Sequence, residues 1–557
     1  MKISAAVTVF CFLLAACGGG GGNPGACTGS AAVCAGAATP TSPGSGGLPA
    51  AVGDARFASS REFAQQCAAP RPAGTVDAYT GAVYNDASGS IASELQWIRS
   101  FVNETYLWFD EVPAIDLAQY VVGATVAHYD PATNLRSERI VSDSASVIAE
   151  FFNSQRTPAT TASGRPKDQF HFTYTTEEWS ALSQAGASVG FGFEAALLAR
   201  TRPRNVVIAY VTPGSPAAAN QLRRGAKFLT VNGVDVVDGT DSATINETLF
   251  GPVAGRSYSF TVQDAGSSVP RSFSMTPATV TSAPVQNVQV LATPTGNVGY
   301  LLFNDHVATA EAPLIAAVNQ FNAAGAGAGI RDLVLDIRYN GGGFISIASE
   351  LAYMIAGRTA TTGKVFERIS TNRKKPFGNL RDTSFSDTAS AFASSSGQAL
   401  PQLNLARVFV ITSSSTCSAS EAVINALRGI GVDVIQIGTA TCGKPYGFFP
   451  QENCGTTYFT VQFKGVNDAG YGDYVDGFTP ASGTQPYNLP GCEVADDFSR
   501  QLGDVQEGRL AAALQYRIDG TCPQAPVAKR AGAGKGAVTE ALLVRSILRE
   551  NRWLAPR

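Results

Sequence analysis

Residues 283–525 alternate between two patterns of apolar and polar positions. Short, almost wholly apolar runs predict buried strands, and stretches with an apolar residue every three or four positions predict amphipathic helices. The predicted strands are 298–303, 333–337, 407–411 and 432–438, and the predicted helices are 311–323, 345–356 and 421–427. Strands and helices in alternation indicate an α/β layer structure, which places its site beyond the carboxyl ends of the strands.

The chain before this region has a different character. Residues 91–108 carry Leu95, Ile98 and Val102 at helical spacing, and mixed segments follow, so residues 52–181 are predicted to be mostly helical. Residues 182–282 predict short strands with one short helix between glycine and proline turns.

The first residues carry an export pattern. Lys2, the apolar run 5–16 and the sequence Leu-Ala-Ala-Cys-Gly at 14–18 predict that residues 1–17 are a signal peptide with a lipoprotein cleavage box. Cys17 would then carry lipid, and residues 18–51, rich in Gly, Ala, Pro, Ser and Thr, form a flexible tether. With no aspartate after Cys17, bacterial sorting habits favour the outer membrane, facing the periplasm or the cell surface. The alternative is an ordinary cleaved signal peptide.

Charge and cysteine content agree with an exported protein. A net charge of −3 gives no general attraction to nucleic acid. Beyond Cys11 and Cys17 the chain has eight cysteines, and an even number outside the cytosol indicates disulfides.

Residues 526–557 form a basic tail in which 538–551 has helical periodicity. The basic face of this predicted helix is expected to touch lipid headgroups, touch another domain or face solvent.

The sequence Thr-Cys-Ser-Ala-Ser-Glu at 416–421 is the first sign of chemistry. A turn of small residues opens a helical pattern there, so Ser418 is expected at a helix N-terminus, where backbone amides stabilise a developing oxyanion. Lys444 follows the next predicted strand and can fold back to the same place. A capping serine and a surface lysine would give the same spacing.

A lysine acts as a general base only when it is neutral. An exposed lysine titrates near ~10.4, and burial among Tyr446, Phe448 and Phe449 is expected to lower the pKa of Lys444 by several units. It would then take the proton of Ser418 and return it to the leaving amine.

Glycines follow the predicted strand 333–337. The sequence Tyr-Asn-Gly-Gly-Gly at 339–343 allows backbone amides to approach a ligand closely, so Gly342 is predicted as one oxyanion donor and Ala419 as the other. A simple strand-to-helix turn is the alternative.

Five segments together resemble the carboxyl-terminal processing (tail-specific) serine peptidases. Val-Thr-Pro-Gly-Ser-Pro-Ala-Ala at 211–218 and Val-Asn-Gly at 231–233 resemble a PDZ domain, and the 335–343 and 418–421 segments with Gly443-Lys444 resemble the protease domain. The resemblance covers roughly residues 90–490 and implies a multi-domain α/β fold. That fold has a Clp/crotonase-like protease domain at 283–525, an inserted or preceding β-rich PDZ domain at 182–282 and an N-terminal helical region.

The resemblance also implies roles for residues. Ser418 would be the nucleophile, Lys444 the base, and Gly342 with Ala419 the oxyanion hole. The PDZ loop that binds a terminal carboxylate would be formed by Gly190, Phe191, Gly192 and Phe193. Polypeptides with apolar C-termini are the implied substrates, while the oligomeric state is not predicted.

This sequence departs from the family at one position. The family usually has a glutamine four residues after the lysine, whereas position 448 is Phe, so Gln451 or Glu452 is the expected substitute. If neither serves, Lys444 is expected to be less well held and the activity weaker, and the alternative function is a weak or inactive PDZ scaffold.

Other residues offer alternative catalytic chemistry. Ser188 lies in a Gly-x-Ser-x-Gly match but precedes a predicted strand rather than a helix. His171 and His306 leave a Ser-His-acid site open, although His171 is expected to pack in a strand, and no His-Glu-x-x-His sequence or phosphate loop is present. No metal or cofactor is therefore predicted. Cys417 is expected to form a disulfide, with Cys442 pairing either with it or with Cys454.

Overall fold

The computed structural model describes residues 57–523, apart from 131–134, 379, 391, 393–395 and 482, and also residues 542–544. The predicted signal peptide, the tether, Cys17 and most of the basic tail lie outside the described residues. Among the helices that are described, none combines the length and apolar character that crossing a membrane requires.

The N-terminal region wraps three helices around short strands. The helices are α1 (Ile91–Thr105), α2 (Ser144–Ser154) and α3 (Thr176–Ala185), and the strands are β1 (Gln66–Cys67), β2 (Ala87–Ser88), β3 (Thr125–Asp130), β4 (Leu135–Ile140) and β5 (Phe172–Thr175). Helix α1 begins after the capping side chain of Ser90. It ends three residues before the predicted limit at 108, because Tyr106 is extended and the Leu107 amide donates to the carbonyl of Val461.

The second region is β-rich. Its strands are β6 (Ala187–Gly190), β7 (Phe193–Ala199), β8 (Asn205–Val211), β9 (Lys227–Val231), β10 (Val234–Asp235), β11 (Tyr258–Gln263), β12 (Pro270–Met275) and β13 (Ala278–Thr281), and its helices are α4 (Pro216–Ala219) and α5 (Ser242–Phe250). Strands β12, β11, β9, β8 and β7 lie side by side in that order. Strands β6 and β13 pair with each other and bring the two ends of the region together.

The third region is built on a sheet of six strands in the order β14-β15-β16-β19-β20-β27. Its strands are β14 (Val285–Leu291), β15 (Val298–Phe303), β16 (Asp332–Asp336), β17 (Val365–Thr371), β18 (Thr383–Ser384), β19 (Arg407–Thr412), β20 (Asp433–Gly438), β21 (Tyr446–Gly447), β22 (Gln451–Asn453), β23 (Thr456–Phe459), β24 (Phe463–Val466), β25 (Thr479–Pro480), β26 (Asn488–Leu489) and β27 (Gly491–Glu493). Its helices are α6 (Glu311–Gly327), α7 (Ile345–Thr361), α8 (Ala419–Gly429) and α9 (Gly508–Asp519). Within the six-stranded sheet only β14 is antiparallel to its neighbour.

Both faces of the six-stranded sheet are covered, which explains why its strands are apolar throughout. Leu301 and Phe303 of β15 point to one face, where α6, α7 and α8 pack. Tyr300 and Leu302 point to the other face, where α9 and residues of β7 and β8 pack. The predicted α/β fold of several domains is confirmed.

A buried ion network fastens the second region to this sheet. Arg338 is fully buried and contacts the carboxylates of Asp336, Asp496 and Glu507. Arg224, from the second region, donates to the Tyr339 hydroxyl at 2.6 Å and to Asp496 at 2.6 Å. The neighbouring guanidinium groups hold the pKa of Asp496 far below its usual value despite its burial.

The described part of the tail is a strand rather than a helix. Strand β28 (Leu542–Val544) pairs antiparallel with β7 through Leu542 with Leu197 and Val544 with Ala195. The helix predicted over 538–551 is therefore wrong at these residues, because main-chain pairing with a sheet edge outweighs a weak local preference. The rest of the predicted helix lies outside the described residues.

Candidate active site

Three neighbouring parallel strands end at one edge of the six-stranded sheet. The loop after β16 carries Gly342, the loop after β19 carries Ser418, and the loop after β20 carries Lys444. Because parallel strands present their carboxyl ends at the same edge, residues that are far apart in sequence meet there.

Ser418 occupies a sharp turn between β19 and α8. It is half-buried, with φ +56° and ψ −116°, a conformation that costs a residue with a side chain of order 1–3 kcal/mol. Ala419 is the first residue of α8, so its amide is one of those that the helix itself cannot use. The turn therefore presents a hydroxyl beside the positive end of a helix.

Gly342 lies directly against this turn. Its φ is +107°, and a Cβ atom there would stand 2.8 Å from the Cβ of Ser418. Only glycine allows this approach. In this structure the Gly342 amide donates to Oδ1 of Asn340 at 3.0 Å, so it becomes available to an oxyanion only when that hydrogen bond is given up.

Glu421 holds the two loops together, a role that was not predicted from the sequence. Its buried carboxylate accepts from the amides of Ser418 at 3.1 Å, Gly443 at 2.9 Å and Lys444 at 2.8 Å. Burial raises the pKa of Glu421, and these donors act in the opposite direction. A buried acid inside the Ser-Ala-Ser-Glu motif was the available signal, since such a group needs partners.

Disulfides reinforce the same arrangement. Cys417 and Cys442, the neighbours of the serine loop and the lysine loop, are bonded with Cα atoms 5.2 Å apart. Of the two pairings expected for Cys442, the one with Cys454 is wrong, because Cys454 is bonded to Cys67. Cys492 and Cys522 form the third bond, and Cys27 and Cys34 lie outside the described residues. The sulfur of Cys417 is thus occupied and is not a free nucleophile.

Lys444 is buried between aromatic rings. It is 7% exposed, and its Nζ lies 4.8 Å from the ring centroid of Phe170 and 4.1 Å from that of Phe448. Of the three aromatic residues expected around it, Phe448 is in contact with it, whereas the rings of Tyr446 and Phe449 pack on Trp108 and on Phe463.

The expected substitutes for the family's glutamine have other contacts. The carboxylate of Glu452 binds Arg71 at 2.7 Å and accepts from the Gly455 amide at 2.9 Å. The side-chain amide of Gln451 donates to the carbonyl of Glu452. Residue 448 itself faces Lys444, with a ring in place of an amide.

The predicted carboxylate loop lies at the start of β7. Phe191 is buried in the core of the second region, and its ring stacks on Phe193. Gly192, with φ +79°, lets the chain turn so that its carbonyl accepts the Thr212 amide at 2.7 Å. A cavity of about 40 Å³ remains between this loop and Leu249 and Phe250 at the end of α5.

The other candidate nucleophiles and bases lie elsewhere. Ser188 is inside β6, without the elbow that a nucleophile needs. The ring of His171 bonds Thr460 and the Phe152 carbonyl, and that of His306 bonds Asn340. Burial lowers the pKa of His306 to about 4. Neither ring has Ser418 among these partners.

A serine at a strained turn before a helix, with a buried lysine on the adjacent loop, is an arrangement that nucleophilic catalysis can use. Residues 297–462, which contain all three loops, match the model of peptidase family S41. The resemblance of the chain to that family, whose members are serine proteases, is confirmed over this segment.

The chain is also similar to solved structures. A protein of Bacteroides fragilis NCTC 9343 assigned to the S41 proteases is 23% identical, with a TM-score of 0.53, over 79% of this chain and 98% of that one. The photosystem II D1 C-terminal processing protease is 19% identical, with a TM-score of 0.41, over 76% of this chain and 100% of that one. Among curated proteins no match is found.

Proposed function

We propose that this protein is a serine endopeptidase of the bacterial cell envelope that cleaves unfolded or loose-ended polypeptides. Ser418 is the nucleophile and Lys444 the general base, so the site is a Ser/Lys dyad. The observation that carries the proposal is the delivery of Gly342, Ser418 and Lys444 to one sheet edge by three adjacent strands.

The first chemical step forms an acyl-enzyme. The neutral amine of Lys444 takes the proton of Ser418 as Oγ attacks the scissile carbonyl carbon. The carbonyl oxygen becomes an oxyanion, which the Ala419 amide and the released Gly342 amide stabilise. The lysine ammonium then gives its proton to the leaving amine, and the peptide bond breaks.

The second step regenerates the enzyme. A water molecule, deprotonated by Lys444, attacks the ester carbonyl, and the proton returns to Oγ when the new carboxylate leaves. Glu421 contributes by fixing the main chain on both sides of the dyad, so that neither loop moves away during turnover.

We infer that the second region, residues 182–282, acts as a PDZ domain that captures the substrate's C-terminus. An extended peptide would add as a strand beside β7, with its terminal carboxylate at the loop Gly190–Phe193. A cavity of about 640 Å³, lined by Val189 and Phe250 at the groove and by Tyr174 of β5, continues from there and supports a path for the chain.

The envelope location rests on residues outside the described structure. We propose that Cys17 is lipidated and that residues 18–51 tether the protein to the outer membrane; the three disulfides suit an oxidising compartment. Radiolabelled palmitate should enter the wild-type chain and not Cys17→Ser, and label retained in the variant would contradict the proposal.

A second candidate is a weak or inactive scaffold that binds envelope polypeptides through the PDZ domain. Two observations favour it: a ring at position 448 faces Lys444, and the Gly342 amide is engaged by Asn340.

The deciding experiment is cleavage of an unstructured protein by residues 52–557. Ser418→Ala and Lys444→Ala should both abolish cleavage, while Ser414→Ala and Lys364→Ala, which change the same residue types nearby, should retain it. Binding without cleavage by the wild type supports the scaffold, and activity that survives Ser418→Ala contradicts the nucleophile.

Capture by the C-terminus needs its own test. A peptide substrate with a free apolar C-terminus should be cleaved faster than the same peptide amidated there, because the amide removes the charge that the loop recognises. Equal kcat/KM values for the two peptides would exclude this mode of capture.

A further inference from the structure

Strand β28 lies on the edge where a substrate would bind. Strand β7 pairs on one side with β8, so its other side is the free edge of the second region's sheet. Leu542–Val544 occupies this edge in antiparallel register with Leu197, Ala196 and Ala195.

The direction of β28 matches that of a captured peptide. Strand β7 starts at Phe193, next to the predicted carboxylate loop. Because Leu542 pairs with Leu197 and Val544 with Ala195, the tail runs toward that loop as its residue numbers increase. A substrate that presents its C-terminus to the loop runs the same way.

An edge strand has one outward row of amide and carbonyl groups, so it accepts one partner strand at a time. A substrate can add to β7 only when β28 has left. Since β28 belongs to the same chain, its effective concentration at the edge is set by the length of chain that joins it to α9. For short linkers this concentration reaches the millimolar range.

We propose that strand β28 is an intramolecular ligand of the PDZ groove that competes with polypeptide substrates and holds the peptidase in a less active state. The inference depends on the peptide-binding role proposed above for the second region. Release of the tail then increases substrate capture without any change in the catalytic residues.

The first test measures binding without cleavage. In residues 52–557 carrying Ser418→Ala, the double change Leu542→Pro/Leu543→Pro should break the pairing, because amides of an antiparallel strand point to the partner at alternate residues and one of two neighbours must lose its donor. The probe is a fluorescein-labelled peptide with the sequence of residues 538–548, followed by fluorescence anisotropy.

The strand-breaking variant should bind the probe at least about tenfold more tightly than the parent, since the tethered competitor lowers the fraction of open grooves. Ala531→Pro/Ala533→Pro, which adds two prolines before the strand, should bind like the parent. A chain that stops after Pro523 should behave like the strand-breaking variant and gives a second measurement that needs no substitution. Equal affinities for parent and variant, or no binding to either open form, would overturn the inference.

A second readout uses the chain with Ser418 intact. Breaking β28 should raise kcat/KM, which governs the rate at low substrate concentration. It should leave kcat unchanged, because only substrate capture is altered. If neither form cleaves but the binding difference remains, the proposed peptidase activity fails, the competition for the groove stands and the inferred effect on activity is overturned. Active enzyme with no difference between forms overturns the inference alone.

Discussion

At the scale of single residues, the site depends on a costly backbone conformation that its neighbours hold in place. Ser418 has a positive φ, and the groups around it restrain the turn: Asn340 accepts the Cys417 amide and the Ser420 hydroxyl, each at 3.0 Å. Glu421 accepts the amide of Ser418 itself. Strain of this kind persists only where surrounding contacts over-determine it, as at catalytic turns.

Gly342→Ala should abolish most of the activity. The added Cβ would meet the Cβ of Ser418 at 2.8 Å and displace an oxyanion donor, which is worth roughly 10²–10³ in kcat. Gly431→Ala is the matched control, because Gly431 also has a positive φ, of +85°, but no atom within 4 Å of the added Cβ. The control should lose stability but keep its kcat; loss of kcat in both variants would contradict the role of Gly342.

Phe448→Leu should move the rising limb of the pH–activity profile to lower pH. The ring at 4.1 Å from Nζ attracts the ammonium form of Lys444, and a contact of this type is worth about 0.5–1 kcal/mol or more, hence roughly half a pH unit. Phe449→Leu removes a neighbouring ring that packs on Phe377 and should leave the profile in place. If the midpoint of the pH dependence of kcat/KM were the same in Phe448→Leu as in the wild type, the ring would not affect the pKa of Lys444.

At the scale of elements, the local pattern of apolar and polar residues predicted the strands and helices of the α/β region. It missed elements whose pairing depends on contacts with distant parts of the chain. The strand predicted at 298–303 has those limits in the structure. The helix predicted at 421–427 is α8, which extends two residues further at each end. The hairpin of β3 and β4 was not predicted. Its residues alternate weakly, and His128 of β3 and Arg139 of β4 both bind the carboxylate of Glu150 in α2, a contact that local pattern does not reveal.

Strand β17 carries a buried acid that should make stability depend on pH. Burial raises the pKa of Glu367 from 4.5 to about 7, and its Oε2 has no hydrogen-bond partner among the described residues. The folded state holds this proton more tightly than the unfolded state, so its contribution to stability is lost as pH rises from about 4.5 to about 7.

Glu367→Gln keeps the shape and removes the charge. Relative to this variant, the wild type should lose about 3 kcal/mol of unfolding free energy between pH 4.5 and pH 8, at roughly 1.4 kcal/mol per pKa unit. Urea unfolding at the two pH values measures it, with exposed Glu177→Gln as control. A constant difference between wild type and Glu367→Gln would show that the acid is hydrated.

At the scale of the whole molecule, the second region and the third region, which contains the candidate active site, are joined through buried charge. Arg224 reaches from the second region to Asp496 and to Tyr339, which lies in the loop between β16 and Gly342. Arg338 shares Asp496 with it. Such a joint favours a fixed angle between the two regions over free motion, because separating them exposes partners that cannot be left unpaired.

Arg224→Met should destabilise the protein by about 3–5 kcal/mol, the usual result of removing one partner from a buried ion network. Arg223→Met, at an exposed neighbouring position, should change stability by less than about 0.5 kcal/mol. Thermal unfolding measures both. An effect of Arg224→Met no larger than the control's would mean that the network contributes nothing net.

The candidate site was predictable as residues but not as an arrangement. Ser418, Lys444 and Gly342 were found from glycine, helix-start and strand signals, which are local. The sequence did not predict the role of Glu421, and it left two partners open for Cys442. Both depend on which loops meet in the folded chain. The substitute for the missing glutamine was expected downstream, yet Glu452 is bound to Arg71, which is distant in sequence.

The sequence by itself determined the alternation of strands and helices, the positions of the candidate nucleophile, the candidate base and the glycine turn, and the even set of cysteines, because periodicity, glycine and small-residue turns act over a few residues. Only the tertiary structure decided which loops share an edge, which cysteines bond, and that Leu542–Val544 is a strand on β7. The reason is that pairing of distant segments is governed by the groups left unsatisfied at each surface, and those exist only once the chain has folded.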